Sequence, residues 1–387
     1  MKFPNKIKNK LSARKENQAL RVLGKQSNLV DFSSNDYLGF ATSATIFDQT
    51  HDFLVTHNSR INGATGSRLL TGNHPLYEEV EKQLCDLHKS DASLIFNSGY
   101  DANVGFFSTV PQRGDVILYD EYIHASIRDG IQLSNAKAFK FKHNDLIDLK
   151  CLLERSREVS SKESETYVVT ESVFSMDGDS PDLLAISEMS KTYKAFLIVD
   201  EAHAIGVLGP QGCGETQRLG IEEDVFARIM TFGKGLGCHG AAILGTDLLK
   251  QYLVNFARSF IYTTGLSPHA LATIKTAYEQ LVILSKSEES QQEKLQENIA
   301  FFKITLKKHQ LDTKFIASNS AIHSCIISGN KKVKGIAKKL QENGFDVKPI
   351  LSPTVSEGEE RLRFCLHAYN SRKEITDVLE LLSTFVK

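Results

Sequence analysis

Seven short apolar runs, separated by helical stretches, occupy residues 90–246 of this 387-residue chain. They read ASLIF, DVILYD, AKAFKF, TYVVTES, AFLIVDEAH, RIMTF and AAILGT. Continuous β-prone runs that alternate with helices are typical of a mostly parallel sheet with helices on both faces. We therefore predict an α/β fold whose large domain covers residues 46–275.

The C-terminal part of the chain has a different pattern. IHSCIISG, DVKPI and RLRFCLHA are predicted strands, while KVKGIAKKLQENG and KEITDVLELLSTF are predicted helices. This order predicts a small α+β domain over residues 276–387. The polar segment SKSEESQQEKLQEN lies inside a long helical pattern and is predicted to connect the two domains. Residues 1–45 are predicted to form an amphipathic helix around Ile7, Leu11 and Leu20, followed by an arm.

The composition excludes several kinds of partner. A formal net charge of -1 gives no general attraction to nucleic acid. No run approaches the roughly 20 apolar residues of a membrane span. The six cysteines are scattered without a C-x-x-C pair, and the histidines do not cluster with them at zinc spacing. We therefore predict a cytoplasmic protein without a metal. The basic residues within positions 2–25 are interpreted as a solvated helix, with a targeting peptide as the alternative.

One lysine lies among glycines in IMTFGKGLGCHGAAILGT, residues 229–246. Glycine costs stability inside helices and strands, so this run predicts a backbone bent closely around a bound group, with the amine of Lys234 facing it. The amine either grips a phosphate or acts as a nucleophile. A nucleotide P-loop requires G-x-x-x-x-G-K-[ST], whereas here Gly235 follows the lysine and Arg228 takes the upstream glycine position. The spacing favours the nucleophile.

Polar residues that could act with this lysine follow other apolar runs. In open α/β sheets, ligands bind beyond the carboxyl ends of the strands. Asp200 and His203 follow AFLIV, and His124 follows VILYD. Asp200 precedes Lys234 by 34 residues (234 minus 200), about one β-α-β unit, so adjacent strand ends are expected to carry both. A structural salt bridge is the alternative for Asp200, and an ordinary loop residue is the alternative for His124.

Further residues complete a recognisable set. Gly99 and Tyr100 stand where a strand turns into a helix, a position whose backbone N–H groups bind anions. Thr231 precedes Lys234 by three positions, and Ser175 follows the run TYVVTES. An anion site, a buried acid, a flat imidazole and an isolated amine are what pyridoxal 5'-phosphate requires for its phosphate, ring nitrogen, ring face and aldehyde.

The sequence also resembles a known family. The motifs DFSSNDYLGF, GATGSRLLTGNHPLYEEVEKQL, NSGYDANVGF, HASI, ESVFSMDGD, DEAHAIGVLG and TFGKGLG look like those of the α-oxoamine synthases, which are fold-type I pyridoxal-phosphate transferases. The match runs from about residue 14 through the last strand with similar spacing. The resemblance implies a large domain with a mixed, mostly parallel sheet covered by helices, plus a small C-terminal α+β domain.

The resemblance also implies roles for the site residues. Lys234 is similar to the Schiff-base lysine, Asp200 to the pyridinium partner and His124 to the stacking histidine, and these three are the expected catalytic residues. The other implied cofactor contacts are Gly99, Tyr100 and Thr231 near the phosphate, His203 near the phenolic oxygen, and Ser175. In this family the active site is shared across a homodimer. GATGSRLLTG and IYTTGLSP resemble the segments that the neighbouring subunit contributes.

The family joins an amino acid to an acyl thioester. The motifs most resemble the branch that condenses L-alanine with a pimeloyl thioester, carried by CoA or a carrier protein, to give 8-amino-7-oxononanoate in biotin synthesis. Arg21, Thr354 and Arg363 match substrate positions of that branch, with a surface charge as the alternative for Arg21. The alternative activities are those of glycine acetyltransferase, 5-aminolevulinate synthase and serine palmitoyltransferase. A non-catalytic pyridoxal-binding regulator and a nucleotide-binding module are more distant alternatives.

Overall fold

The computed structural model describes residues 3–24, 28–159 and 163–386. The chain divides into two compact units. The larger comprises Asn35–Ser175 and Ser180–Glu293, and the smaller comprises Met1–Ser34, Met176–Asp179 and Lys294–Lys387. All the cofactor residues expected from the sequence therefore belong to the larger unit, and Arg21, Thr354 and Arg363 belong to the smaller one.

All seven apolar runs form strands. The strands of the described residues are, in chain order, β1 Val30–Asp31, β2 Ala92–Phe96, β3 Val116–Asp120, β4 Lys137–Phe141, β5 Thr166–Glu171, β6 Phe196–Asp200, β7 Val225–Thr231, β8 Ala241–Gly245, β9 Ile322–Ile326, β10 Phe345–Asp346, β11 Lys348–Ile350 and β12 Arg361–Cys365.

Helices separate most of these strands. Those of the described residues are α1 Asn5–Glu16, α2 Ala44–Thr56, α3 Pro75–His88, α4 Gly99–Phe107, α5 Ala125–Leu133, α6 Leu146–Val159, α7 Leu183–Tyr193, α8 Glu215–Leu219, α9 Asp247–Phe256, α10 Arg258–Ile261, α11 Pro268–Leu284, α12 Gln291–Lys308, α13 Asn330–Glu342 and α14 Arg372–Val386.

The larger unit is built on a seven-stranded sheet in the order β2-β8-β7-β6-β5-β3-β4. Strand β8 pairs antiparallel with β2 and β7, while the remaining neighbours run parallel. Ile198 packs into one buried apolar cluster and its neighbour Leu197 into another, because successive strand residues point to opposite faces. Both faces are therefore covered, which confirms the predicted α/β fold with a mixed, mostly parallel sheet.

The polarity of this sheet positions the candidate site. Strands β2, β3, β5, β6 and β7 all end at the same edge, since the two antiparallel pairings of β8 leave β2 parallel to β7. Asp200 and Thr231 are the last residues of β6 and β7. Each of the other predicted cofactor residues lies three or four positions after the end of one of these strands.

The smaller unit contains two short sheets. Strands β11, β12 and β9 form an antiparallel sheet, and β1 pairs parallel with β10. The segment Met176–Asp179 is held here by side-chain hydroxyls, because Ser318 and Ser320 both donate to the Gly178 carbonyl, at 2.8 and 2.7 Å. Helices α13 and α14 pack apolar side chains such as Leu340 and Leu379 inward. The predicted C-terminal α+β arrangement is confirmed.

The structure has an N-terminal helix, α1, which ends earlier than the pattern indicated and buries none of its side chains. Helix α1 carries Ile7 and Leu11, both about half exposed, whereas Leu20 lies beyond its last residue. Within the described ranges, no helix is long and apolar enough to cross a membrane.

The helical pattern around SKSEESQQEKLQEN is interrupted in the structure, and only its second part is helical. Helix α11 ends at Leu284 and α12 begins at Gln291. Between them the Ser285 and Ser287 hydroxyls donate to the carbonyls of Val282 and Leu284, which offers the backbone an alternative to continued helix.

Candidate active site

The Lys234 loop follows β7 and packs tightly against other backbone segments. A side chain at position 235 would place its Cβ 2.5 Å from the Ile205 carbonyl oxygen. Gly237 has a φ of +61°, and a Cβ there would collide with the backbone of Ala41. The two glycines that follow the lysine, Gly235 and Gly237, thus allow a close backbone approach. Lys234 itself is half-buried.

Two predicted site residues lie at the end of β6, namely Asp200 in the strand itself and His203 in the loop that follows. Lys234 Nζ is 2.8 Å from His203 Nε2. Asp200, the last residue of β6, is buried, and its carboxylate accepts hydrogen bonds from Asn103 Nδ2 and Ala202 N, both at 2.9 Å. The structure therefore brings the predicted amine, imidazole and acid together at neighbouring strand ends.

A second acid, which sequence reasoning missed, lies beside Asp200. Glu171 ends β5 and pairs directly with Asp200 in the sheet register. It is completely buried and accepts a hydrogen bond from the backbone N–H of His124. Burial, followed by the charge of Asp200, raises the pKa of Glu171 well above its usual range. The signal was available in the first letter of ESVFSMDGD, an acid at the end of an apolar strand.

His124 stands immediately before helix α5. Its Nδ1 atom is 2.7 Å from the Ser126 hydroxyl, which also accepts from Asn103 Nδ2 at 3.0 Å. Burial lowers the pKa of His124, the charge of Asp200 opposes this, and the charge of Lys234 adds to it. Asn103 thus links the predicted imidazole to the predicted acid, and the lowered pKa favours a neutral ring.

The residues expected near a phosphate gather at the start of α4. Ser98 caps this helix by accepting the Asp101 N–H at 3.1 Å. A Cβ at Gly99 would lie 3.5 Å from Thr231 Cβ, so these two positions adjoin. Backbone N–H groups of a first helical turn lack intrahelical partners and attract anions. The ring of Tyr100 instead turns outward, where its hydroxyl donates to Asp129 Oδ2 at 2.7 Å.

Another residue that the sequence analysis missed supports His203. The hydroxyl of Tyr37 lies 2.7 Å from His203 Nδ1 and donates to Asn35 Oδ1 at 3.2 Å. Asn35 and Tyr37 both belong to the motif SSNDYLGF. The motif was noted as part of the resemblance, but nothing in its spacing showed that it would meet a residue 166 positions away.

The predicted substrate residues lie in the smaller unit. Arg21 donates to the Thr354 hydroxyl at 3.4 Å, so these two are brought together. Arg363 is a buried residue of β12 and donates to Cys365 Sγ at 2.9 Å. Arg361, two residues earlier on the same strand, forms a buried ion pair with Asp177. Ser175 is half-buried in the turn after β5.

The two segments expected to reach a neighbouring subunit pack against each other. The Gly265 N–H donates to the Gly66 carbonyl at 3.0 Å. Leu70 and Tyr262, which belong to these segments, are 81% and 71% exposed.

Comparison with known proteins identifies the family. A family model described as aminotransferase class I and II matches residues 27–382. The chain belongs to this family.

Curated relatives and solved structures narrow the likeness within this family. The chain is 41% identical to a protein from Emericella nidulans named 8-amino-7-oxononanoate synthase, covering 93% of this chain and 90% of that protein. A protein of the same name from Lysinibacillus sphaericus is 36% identical, with 92% and 88% covered. A structure titled as serine palmitoyltransferase with a pyridoxal-phosphate internal aldimine has a TM-score of 0.88 at 25% identity, covering 100% of this chain and 98% of that one. A Francisella tularensis 8-amino-7-oxononanoate synthase structure has a TM-score of 0.77 at 28% identity, covering 93% and 98%.

These comparisons confirm the resemblance to the α-oxoamine synthases, the fold-type I architecture, the acyltransferase class and the pyridoxal-phosphate cofactor. The geometry of the larger unit fits that cofactor. The amine of Lys234, the buried carboxylate of Asp200 and the imidazole of His124, whose pKa is lowered, belong to residues at or just after the ends of β7, β6 and β3, at one edge of the sheet. The side-chain oxygen Oδ1 of Asn103, whose amide donates to Asp200, is buried without a hydrogen-bond partner among the described residues. A buried polar atom of this kind is costly unless a bound group or water pairs with it.

Replacing Glu171 with glutamine is expected to raise the free energy of unfolding increasingly as pH rises from about 5 to about 7. Folded Glu171 keeps its proton because its pKa is raised, whereas the unfolded residue ionises, so rising pH favours the unfolded wild type. Glutamine removes this loss and can still accept the His124 N–H. The difference grows by at most about 1.36 kcal/mol per pH unit, the limit for one proton. Denaturant unfolding at several pH values measures it.

Glu201→Gln provides the contrast. Burial raises the pKa of Glu201 as well, but its two oxygens accept from the backbone N–H groups of Glu215 and Thr216 and from the Thr216 hydroxyl. An amide nitrogen there faces a donor, so this variant is expected to be less stable at every pH. A Glu171→Gln variant whose stability relative to wild type did not change with pH would show that Glu171 is ionised in the folded protein.

Proposed function

We propose that this protein catalyses the decarboxylative condensation of L-alanine with a pimeloyl thioester, giving 8-amino-7-oxononanoate for biotin synthesis. The observation that carries the proposal is the 36–41% identity, across about nine-tenths of the chain, to proteins named for that product. The contact between Arg21 and Thr354, two residues chosen from the sequence because they match substrate positions of that branch, supports it.

The residues at the edge of the large sheet are proposed to hold the cofactor. Lys234 would bind its aldehyde, Asp200 its ring nitrogen, and His124 its ring face. The other proposed contacts are Gly99, Tyr100, Thr231, Ser175 and His203. When bound, pyridoxal 5'-phosphate supplies a ring that draws electrons from the bond being broken. The buried carboxylate of Asp200 keeps that ring cationic.

Proton transfer is assigned to Lys234. Its amine takes the proton from the α-carbon of the amino acid, and the electron pair left behind attacks the thioester carbonyl, so that the thiol departs. His203 Nε2, 2.8 Å from this amine, orients it through a hydrogen bond. The buried surroundings of Asp200 and Glu171 exclude water from the charged centre.

Substrate binding is assigned to the smaller unit. The guanidinium of Arg363 can bind the carboxylate of the amino acid as a bidentate pair. Arg21 and Thr354 are proposed to contact the acyl donor. The donor is either pimeloyl-CoA or a pimeloyl carrier protein, and comparing thiol release from the two distinguishes them.

We also propose that two copies of this chain form a homodimer with shared active sites in the cytoplasm. The likeness of the segments around Gly66 and Gly265 to those that the neighbouring subunit contributes in the family supports the dimer. All six cysteines are free thiols, which fits a reducing compartment. The absence of a bound metal stays a prediction.

A second candidate activity is that of serine palmitoyltransferase. The structural likeness to proteins with that name, at TM-scores of 0.87 and 0.88, favours it. Because overall fold does not determine which substrate binds, the higher sequence identity to the 8-amino-7-oxononanoate synthases decides for the first activity.

A panel of amino acids and thioesters tests the proposal. Purified protein loaded with pyridoxal 5'-phosphate is mixed with alanine, glycine or serine and with pimeloyl-CoA, pimeloyl carrier protein, acetyl-CoA, succinyl-CoA or palmitoyl-CoA, and thiol release is followed. We expect the highest kcat/KM with alanine and a pimeloyl donor, by roughly tenfold or more, because a pocket that fits one side chain and one chain length discriminates by about 1–3 kcal/mol.

Other outcomes would point to other functions. A preference for glycine with acetyl-CoA or succinyl-CoA, or for serine with palmitoyl-CoA, would move the protein to the corresponding branch. Cofactor binding without thiol release from any pair would indicate a non-catalytic pyridoxal-binding regulator. Mass spectrometry of the product establishes that carbon dioxide has been lost.

A further inference from the structure

Four polar groups of the larger unit form a continuous hydrogen-bonded chain that begins at the Lys234 amine. Lys234 Nζ is 2.8 Å from His203 Nε2, His203 Nδ1 is 2.7 Å from the Tyr37 hydroxyl, and that hydroxyl is 3.2 Å from Asn35 Oδ1. The chain therefore extends from the proposed proton acceptor into the motif SSNDYLGF.

The last bond of this chain determines the direction of the others. A phenol has one hydrogen, and Tyr37 donates it to the carbonyl oxygen of Asn35. In that arrangement the oxygen accepts from His203, which places the imidazole hydrogen on Nδ1, whereas the 2.7 Å distance by itself fits either tautomer. A neutral imidazole with hydrogen on Nδ1 has a lone pair on Nε2. That lone pair is what the Lys234 amine meets.

The local backbone holds Tyr37 in place. Its N–H donates to the Asn35 carbonyl at 2.8 Å, and the turn that follows closes through a bond from the Gly39 N–H to the Asp36 carbonyl at 3.0 Å. Gly39 has a φ of +75°, which glycine adopts without strain. The ring of Tyr37 is completely buried and His203 is 5% exposed, so water competes little with their hydrogen bond.

We propose that Tyr37 is a positioning residue that holds His203 in the tautomer with hydrogen on Nδ1. The Nε2 lone pair then accepts a hydrogen bond from Lys234, which stabilises the amine once it has taken the substrate proton. Tyr37 acts through His203 and does not contact the reacting atoms. The catalytic part of this inference rests on the proposed function, whereas the tautomer does not.

Nitrogen-15 NMR of histidine-labelled, full-length protein tests the tautomer with and without pyridoxal 5'-phosphate. A His203→Gln variant assigns the His203 signals by their absence. In the wild type we expect a protonated Nδ1 and an unprotonated Nε2 for His203. In Tyr37→Phe we expect this preference to be lost, because phenylalanine offers no oxygen to accept the Nδ1 hydrogen.

Steady-state kinetics of the loaded enzyme provide the second readout. For Tyr37→Phe we expect kcat to fall by roughly tenfold, the upper size of one hydrogen bond, with KM for both substrates within about twofold. Tyr278→Phe is the matched control, because the Tyr278 hydroxyl makes a similar buried bond, 3.0 Å from His88 Nε2. It should cost comparable thermal stability and leave the His203 signals unchanged.

Two results would overturn the inference. One is a wild-type His203 with its hydrogen on Nε2, a measurement that needs no variant to fold. The other is an unchanged His203 tautomer in Tyr37→Phe. Neither depends on turnover, so both are distinguishable from a failure of the proposed reaction, which would appear as a lack of thiol release by the wild type.

Discussion

Replacing Lys234 with alanine is expected to lower the rate of thiol release by at least 10²–10⁴-fold. Positioned proton transfer by a side chain contributes about that much to catalysis, and the variant loses the amine that lies 2.8 Å from His203 Nε2. The substrate-driven release of CoA, followed at saturating alanine and pimeloyl-CoA, measures the loss.

The covalent role of the same lysine is tested in parallel. Borohydride reduction of the loaded wild type should attach the cofactor to the peptide that contains Lys234, and mass spectrometry should find no such peptide in the variant. Lys338→Ala is the control, since Lys338 is 76% exposed on α13 and pairs with Glu342 of the same helix. A Lys234→Ala enzyme with wild-type turnover would refute the assignment of the base.

Replacing Asp200 with asparagine is expected to lower kcat by roughly 10²–10³-fold while leaving the fold intact. A carboxylate about 4 Å from a cation gains on the order of 4 kcal/mol at an effective dielectric of 20, which corresponds to about three pKa units on the ring nitrogen. The amide keeps the shape of the side chain but removes this charge. Rate and visible absorbance of the loaded variant measure the effect.

The surroundings of Asp200 make this a test of charge and not of folding. Asn103 has both an amide group that donates to Asp200 and a carbonyl oxygen without a partner among the described residues, so rotation of its amide can accommodate an asparagine at position 200. Asp182→Asn is the control, because Asp182 caps α7 by accepting the Ala185 N–H and asparagine caps equally well. Equal losses in both variants would rule out a specific role for the Asp200 charge.

Periodicity made the large sheet predictable. Buried parallel strands must be apolar on both faces, so β5 and β6 appear in the sequence as continuous runs such as YVVT and FLIV. Their ends are equally visible, since Asp200 is the first charged residue after such a run. Once the strand ends were known, the shared edge of a parallel sheet was enough to place Asp200 near Lys234.

Hydrogen bonds between distant segments could not be predicted in this way. Tyr37 meets His203 across 166 residues, and Glu171 meets the backbone of His124 across 47. The position of Glu171 at the end of an apolar strand marks it as a candidate, but nothing local identifies its partner, and nothing local distinguishes Tyr37 from other loop tyrosines. Only the folded backbone brings their partners within reach. The domain limits drawn after residues 45 and 275 stay a prediction, which limited proteolysis would test.

The seven-stranded sheet of the larger unit has an asymmetry with a practical consequence. Because β2, β3, β5, β6 and β7 all finish at one edge, the loops before β4 and β6 lie where no catalytic group is found among the described residues. Loops at the reactive edge can therefore change around the proposed cofactor site while the loops at the opposite edge vary independently.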